Sequence, residues 1–359
     1  MTRQPMRVAI GLHRDHIDDW DSAALYAQEA EKLGVYSIWS AEAWGYDGIT
    51  PLAYLAGKTE TIKLGTGIIQ GGTRTPALVG MTAMSLQSMS GGRFMLGLGT
   101  SGPQVVEGWH GVPFAGAVSR LKETAEIVRM VCNGERVVYN GRHYTLPLPD
   151  GEGKAIRSGS PPVQPPPIYM ASLGRRSLQM CGEFGDGWLA SSFVPETADV
   201  FFDDIRIGAE RAGRSMDEID LEAGGGVVFS DDPEQDAARH ARGIAFTLGA
   251  MGSAKTNFYN DAFCRQGWAD AAKEVQRLWI SGERDLARER VPVELAFKIN
   301  AIGNDAEVAE RLRVYRDAGV NTFRAGVEGE TVRDRIANLE RLMHLVNEVN
   351  EVNEVNAEV

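Results

Sequence analysis

Short apolar runs alternate with longer stretches of helical periodicity along most of this 359-residue chain. Met6–Gly11, Tyr36–Trp39, Lys63–Thr66 and Phe94–Leu98 read as strands. Asp21–Leu33, Pro51–Lys58, Pro76–Ser90 and Arg120–Cys132 read as the helices between and after them. In the first helix Ala24, Ala27, Ala30 and Leu33 fall on one face, and Gly34 ends it. Pro76 opens the third helix and Gly91 follows its end. Four such units with no hairpin signal between them predict parallel strands joined by right-handed crossovers.

The rhythm breaks at Asn133–Pro167, rich in Gly and Pro, where a small hairpin is expected around Val137–Tyr144. It resumes with strands at Pro167–Ala171, Trp188–Ser191 and Leu221–Phe229, and helices at Arg175–Phe184 and Glu196–Ala212. Pro233–Leu286 is too long for one crossover and reads as a second insertion, its Gly249–Lys255 segment too polar for core. Thr322–Ala325 and Val332–Val346 supply the last unit. Eight units favour an α/β chain forming a single (β/α)8 TIM barrel, with insertions after strands four and seven, over a doubly wound open sheet. The domain is placed at 1–346, with insertions at about 133–167 and 233–286. The run VNEVNEVNEVNAEV makes 347–359 a low-complexity tail, expected to fray and to carry no function.

Composition is ordinary for a globular protein, at 43% apolar and 24% charged residues, and 41 glycines suit many strand-to-helix turns. A formal charge of −12 argues against nucleic acid or an anionic membrane as partner. Cys132, Cys181 and Cys264 are far apart with no CxxC, so neither a disulfide framework nor a thiolate metal site is implied. No run reads as a signal peptide or a membrane span, and a cytoplasmic location is expected.

Chemistry in a barrel of this kind sits at the carboxyl ends of its strands. Those positions hold His13, Asp15 and His16 after strand one, and Glu42, Trp44, Tyr46 and Asp47 after strand two. Gly67–Arg74 follows strand three, Thr100–His110 strand four, Ser172–Arg176 strand five and Arg324–Glu328 strand eight. His13 and His16 have no third ligand at metal-binding spacing, so no metal is assigned. No G-x-S-x-G elbow supports acyl transfer. Gly97–Gly102 matches G-x-G-x-x-G, but Pro103–Phe114 interrupts the entry into a helix that a dinucleotide loop needs. The glycine-rich loops after strands three and four suit a flat, mostly apolar wall against a planar ring instead. Leu64–Pro76, LGTGIIQGGTRTP, is its centre, although glycines at a strand end also serve plain turns. A phosphate on the same ligand suits the turn Ser172-Leu173-Gly174, with Arg175 and Arg176 beside it.

Three ordered stretches, LGTGIIQGGTRTP, GGRFMLGLGTSGPQVVEGWHG and IYMASLGRRSLQMCGEFGDGW, resemble the bacterial-luciferase-like flavin and deazaflavin oxidoreductases. Within them the chain resembles the coenzyme F-420-dependent reductases of the methylenetetrahydromethanopterin reductase type, from about Arg7 to Asn347. The resemblance implies a ring stacked on a non-prolyl cis peptide, which by motif position is Gly67–Ile68. It implies Thr100, Ser101 and Gly102 against the ring or its ribityl chain, and Ser172, Leu173, Gly174 and Arg175 at the phosphate. Glu42 lies where relatives place an acidic residue and is the first proton-handling candidate, with Arg74, Glu107 and Trp109 on the substrate side. His110 and His13 are further candidates for protonating the substrate, since an imidazole exchanges protons near neutral pH. Ala43 stands where the sugar-phosphate dehydrogenases of the family carry a histidine, which turns the expectation from alcohol oxidation toward a reductase. The expected function is hydride transfer between coenzyme F-420 and a small organic substrate, in a homodimer. An FMN-dependent two-component monooxygenase is the alternative. A non-catalytic flavin-binding protein, the space above its ring filled by Ser158–Pro167, is a third reading.

Overall fold

Eight short runs of buried residues form the parallel strands: β1 (Arg7–Leu12), β2 (Ser37–Ser40), β3 (Lys63–Thr66), β4 (Phe94–Gly99), β5 (Ile168–Ala171), β6 (Gly187–Leu189), β7 (Asp220–Ala223) and β8 (Thr322–Val327). Helices follow them, and the fold is an α/β (β/α)8 barrel with long insertions after β4 and β7. This computed structural model describes residues 4–12, 19–253 and 256–357, the last six as backbone only. The chain divides into two compact units, Ile38–Ala171 and Met1–Ser37 with Ser172–Val359.

In Ile38–Ala171 the strand order is β2-β3-β4-β5. Leu64 lies opposite Phe94, and Leu96 opposite Ile168. All six residues of β4 are buried, as a strand covered on both faces requires. The helices Pro76–Met89 and Ala117–Cys132 pack so closely that a Cβ on Gly80 would come 2.8 Å from Val131.

The first insertion begins with an antiparallel pair, Tyr139–Asn140 with Thr145–Leu146. The buried Glu123 carboxylate fixes its turn by accepting the N–H groups of Arg142, His143 and Tyr144 at 2.8, 2.9 and 3.0 Å. The Pro-rich strap that follows is tied at the far end of the helices. Val163 N–H donates to Cys132 O, and the Gln87 amide donates to Gln164 O. Gln87 also accepts from the N–H of Phe94, the first residue of β4. The strap therefore lies by the amino end of β4, which corrects the idea that Ser158–Pro167 covers the carboxyl ends.

In the other unit β6, β7 and β8 are neighbours in that order and β1 pairs with β8. The strand expected over Leu221–Phe229 is broken. Gly224 and Gly225 pass so close to the carbonyls of Arg324 and Ile299 that Cβ atoms there would come within 2.1 and 2.3 Å. The chain then resumes as Gly226–Phe229 and pairs with Ala301–Gly303, a strand the hydrophobic pattern did not single out. Trp188, Phe193, Phe201 and Phe202 cluster with ring centroids 5.3–5.9 Å apart. The second insertion packs its helices around Leu248, Phe263, Val275 and Leu278.

The expected fraying of the tail is also corrected, since the last helix runs Val332–Ala357. Val346 and Val349 continue the buried stripe of Leu339, Leu342 and Leu345. Asn350 pairs with Met6 through both its amide and its carbonyl, at 3.0 and 2.9 Å. Among the described residues no helix is long and apolar enough to cross a membrane.

One contact in β3 is testable directly. A Cβ on Gly65 would lie 2.2 Å from the Trp39 ring. Gly65→Ala is expected to cost about 1–3 kcal/mol of stability in urea unfolding, and clearly less when introduced into a Trp39→Leu background, where no ring fills the space. An unchanged unfolding midpoint for Gly65→Ala would show that β3 does not depend on this fit.

Candidate functional site

The carboxyl ends of β2 and β3 are laced together by backbone. Gly67 N–H donates to Ser40 O at 2.8 Å, and Glu42 N–H to Ile68 O at 3.2 Å. Between them the Gly67–Ile68 peptide bond is cis. Gln70, fully buried, donates its amide to Glu42 O at 3.1 Å. A Cβ on Gly99 would come 2.8 Å from Ile68, so the cis segment lies directly against the end of β4. Gly65 admits the Trp39 ring and Gly71 admits Leu121 in the same way. At these three positions the close approach serves the chain's own packing.

The charged pair beside this segment is Glu42 with Arg74. Arg74 donates Nη1 to Glu42 Oε1 at 2.5 Å and Nη2 to Oε2 at 2.7 Å, and Gly48 N–H adds a third bond to Oε2 at 3.0 Å. The fork geometry fixes both side chains. Arg74 is the outer partner, its side chain 19% exposed against 6% for Glu42. Hydrogen bonding to Glu42 holds the guanidinium above its already high ordinary pKa. Asp47 accepts the N–H groups of Ile49 and Thr50, both at 2.8 Å; burial opposes its ionisation, but these bonds and Arg74 bring the carboxyl below its usual range. Trp44 and Tyr46, in the same loop, are exposed.

After β4, Ser101 takes φ +55° and Gly102 caps the four-residue helix Pro103–Val106. That is not the long helix a dinucleotide loop enters. Glu107 accepts the N–H of Phe114 at 3.0 Å and so braces its own loop. Trp109 and His110 stand exposed in the turn that follows.

The other unit holds the second group of candidates. Ser172 is buried, and its carbonyl accepts the indole N–H of Trp188 at 2.9 Å. Gly174 is the N-cap of the helix Arg175–Phe184 and, lacking a side chain, caps none of the helix's first N–H groups. Arg175 and Arg176 are exposed there. Ser192, φ +55°, lies after β6. Its hydroxyl and that of Ser172 are buried without a hydrogen-bond partner among the described residues. His13, Asp15 and His16 lie outside the described residues.

Gln70 lay inside the Gly67–Arg74 stretch without a role of its own, and Ser192, Arg265 and Gln266 were not reached from the sequence, because the bonds that join them run between loops remote in the chain. Only the left-handed backbone of Ser192 is a local property, and serine does not announce it.

Residues 2–322 match the family model described as luciferase-like monooxygenase. The chain belongs to that family. It is an enzyme of the oxidoreductase class. A Mycobacterium tuberculosis protein named as a coenzyme F-420-dependent oxidoreductase is 37% identical over 318 residues, 86% of this chain and 91% of its own. The 5,10-methylenetetrahydromethanopterin reductase of Archaeoglobus fulgidus is 28% identical over 302 residues, 84% of this chain and 88% of its own. Among solved structures, the coenzyme F-420-dependent tetrahydromethanopterin reductase of Methanopyrus kandleri superposes with a TM-score of 0.80 at 23% identity, covering 96% of this chain and 99% of its own. That likeness supports the barrel fold of this luciferase-like chain.

Proposed function

We propose that this luciferase-like oxidoreductase uses coenzyme F-420 to reduce an organic substrate by hydride transfer. The observation that carries the coenzyme is the 37% identity, over 86% of the chain, to a relative named for it. Gly67, Ile68, Thr100, Ser101 and Gly102 would hold the ring, and Ser172, Leu173, Gly174 and Arg175 the phosphate. The donor set fits that group, because the unpartnered Ser172 and Ser192 hydroxyls and the uncapped N–H groups after Gly174 suit an anionic oxygen. Bound there, the reduced coenzyme supplies a hydride from C5 of its deazaflavin ring.

The chain's own residues supply position and charge. Glu42 is committed to Arg74 and Gly48, so we assign it the task of orienting the guanidinium and, through its N–H, the Ile68 carbonyl. The outward Arg74 would polarise a C=N, C=O or activated C=C bond and stabilise the negative charge that develops as the hydride arrives. His110, exposed in the turn after β4, is the proton donor we assign, and the exposed Trp109 packs on the substrate body. The reductive direction rests on Ala43, which stands where the alcohol-oxidising members of the family carry a histidine. Free Cys132, Cys181 and Cys264 support a reducing cytoplasm as the compartment.

We also propose a homodimer. Leu78, Met81 and Met89 are 48, 60 and 56% exposed on the helix Pro76–Met89. Met81 and Met89 border a groove of about 1100 Å³ lined also by Met84, Val131 and Ile156. An apolar face of this extent suits a partner surface.

Anaerobic fluorescence titration of the purified protein is expected to show binding of coenzyme F-420 at least about tenfold tighter than FMN. Tighter binding of FMN, with substrate-dependent oxygen uptake, would hand the function to the monooxygenase alternative. Arg74→Met is expected to lower kcat about 100-fold while coenzyme affinity stays within about threefold. Undiminished kcat would remove Arg74 from the chemistry. Sedimentation velocity is expected to give a dimer that Met81→Glu dissociates, and a wild-type monomer would overturn that assignment.

A further inference from the structure

The second insertion reaches the loops after β5 and β6 through two adjacent side chains. Between the helices Phe258–Phe263 and Ala269–Ile280 the chain kinks at Gly267, which takes a left-handed φ of +92°. Just before the kink stand Arg265 and Gln266.

Arg265 donates one guanidinium nitrogen to Leu173 O, in the middle of the Ser172–Gly174 turn. The other donates to Val200 O at 3.3 Å, and the guanidinium lies over the Phe201 ring at 5.4 Å. Among the described residues it has no carboxylate in ion-pair contact. Gln266 is buried and grips the neighbouring loop from both sides. Its amide donates to Ser192 O at 2.6 Å, and its carbonyl accepts Val194 N–H at 2.8 Å. Thus one insertion sets the backbone on which both unpartnered buried hydroxyls, Ser172 and Ser192, are carried. A partly buried cation without a carboxylate, two free hydroxyl donors and an uncapped helix start all favour the same kind of ligand, a phosphoryl oxygen.

We propose that Arg265 and Gln266 are positioning residues for a phosphoryl group, holding the two loops so that the Ser172 and Ser192 hydroxyls donate to its oxygens. This inference rests on the coenzyme reading above for the identity of the ligand, but its chemistry requires only the phosphate. It makes the second insertion, rather than the barrel strands alone, responsible for the preference for a phosphorylated cofactor.

The experiment measures binding by fluorescence for two pairs of ligands: coenzyme F-420 with its dephosphorylated deazaflavin nucleoside, and FMN with riboflavin. Wild type is expected to prefer the phosphorylated member of the pair it binds. Gln266→Ala and Arg265→Ala are each expected to weaken that member about tenfold or more, while the dephosphorylated member changes less than about twofold. Arg265→Lys, which keeps the charge and one donor, is expected to recover part of the loss. Ser172→Ala and Ser192→Gly test the hydroxyls without touching the insertion; glycine at 192 also suits its positive φ. They are expected to show the same selective loss even if an insertion variant fails to fold. Equal weakening of both members, or a wild type indifferent to the phosphate in both pairs, would overturn the proposal. Selective loss seen with FMN and riboflavin alone would keep it and sink the coenzyme F-420 reading instead.

Discussion

The contact between Trp39 and the backbone of β3 is the constraint on which the carboxyl ends of the strands in Ile38–Ala171 depend. With no Cβ at Gly65, the indole lies against the strand, and Gly67 closes over the base of the same side chain at a would-be Cβ distance of 3.1 Å. That seating brings Ser40 O within reach of Gly67 N–H and Glu42 N–H within reach of Ile68 O. A side chain at 65 would push the two strands apart where their carboxyl ends must register. Trp39 is itself held edge-on by Tyr169 of β5, at 5.1 Å between ring centroids. A core contact thereby fixes a surface feature, the cis segment and the charged pair beside it.

Most of the eight strands were legible in the sequence because burial on both faces makes them read as short apolar runs, as Phe94–Leu98 does. Lys63–Thr66 and Thr322–Ala325 are more polar and were found by their place in the strand–helix rhythm. The helices between them were legible for the complementary reason, one buried stripe each. The break in the seventh strand was not, since it arises from contact of Gly224 with Arg324 and of Gly225 with Ile299, 100 and 74 residues away in the chain. The tail misled in the other direction. A repeat of Val, Asn and Glu has low complexity, yet Val346 and Val349 fall on the stripe already buried by Leu339 and Leu342, and Asn350 meets Met6. Tertiary contact overrode composition there.

For the site the division is similar. Gly67–Ile68, Thr100–Gly102 and Ser172–Gly174 sit in contiguous motifs and could be found by pattern. The meaning of the glycines could not, because a missing Cβ looks the same in sequence whether a ligand or an indole occupies its place. Glu42 and Arg74 were each singled out, but their bidentate pairing spans 32 residues. It changes Glu42 from a free carboxylate into the inner half of an ion pair. Arg265 and Gln266 had no signal at all, since what they bond is the backbone of loops 65–92 residues away in the chain.

Electrostatics explains why such remote cations matter in this chain. A protein with a formal charge of −12 disfavours any anionic ligand at long range, but salt screens that field beyond roughly 8 Å at physiological ionic strength. Affinity for a phosphoryl group is therefore settled by the few groups close to it. Burial is the main cause that lowers the Arg265 pKa; nearby Arg175 lowers it further, while Asp204 and Asp261 oppose the shift. Two neighbouring cations that repel each other in the free protein gain from an anion, which relieves the repulsion and compensates lost hydration at once. The cost is small in the absence of ligand because Leu173 O and Val200 O already share the guanidinium's hydrogens. A cation bonded to carbonyls, with Asp204 and Asp261 near it but not paired to it, keeps part of its field for an anion, and that is the property an acidic protein needs if it is to hold an anionic ligand.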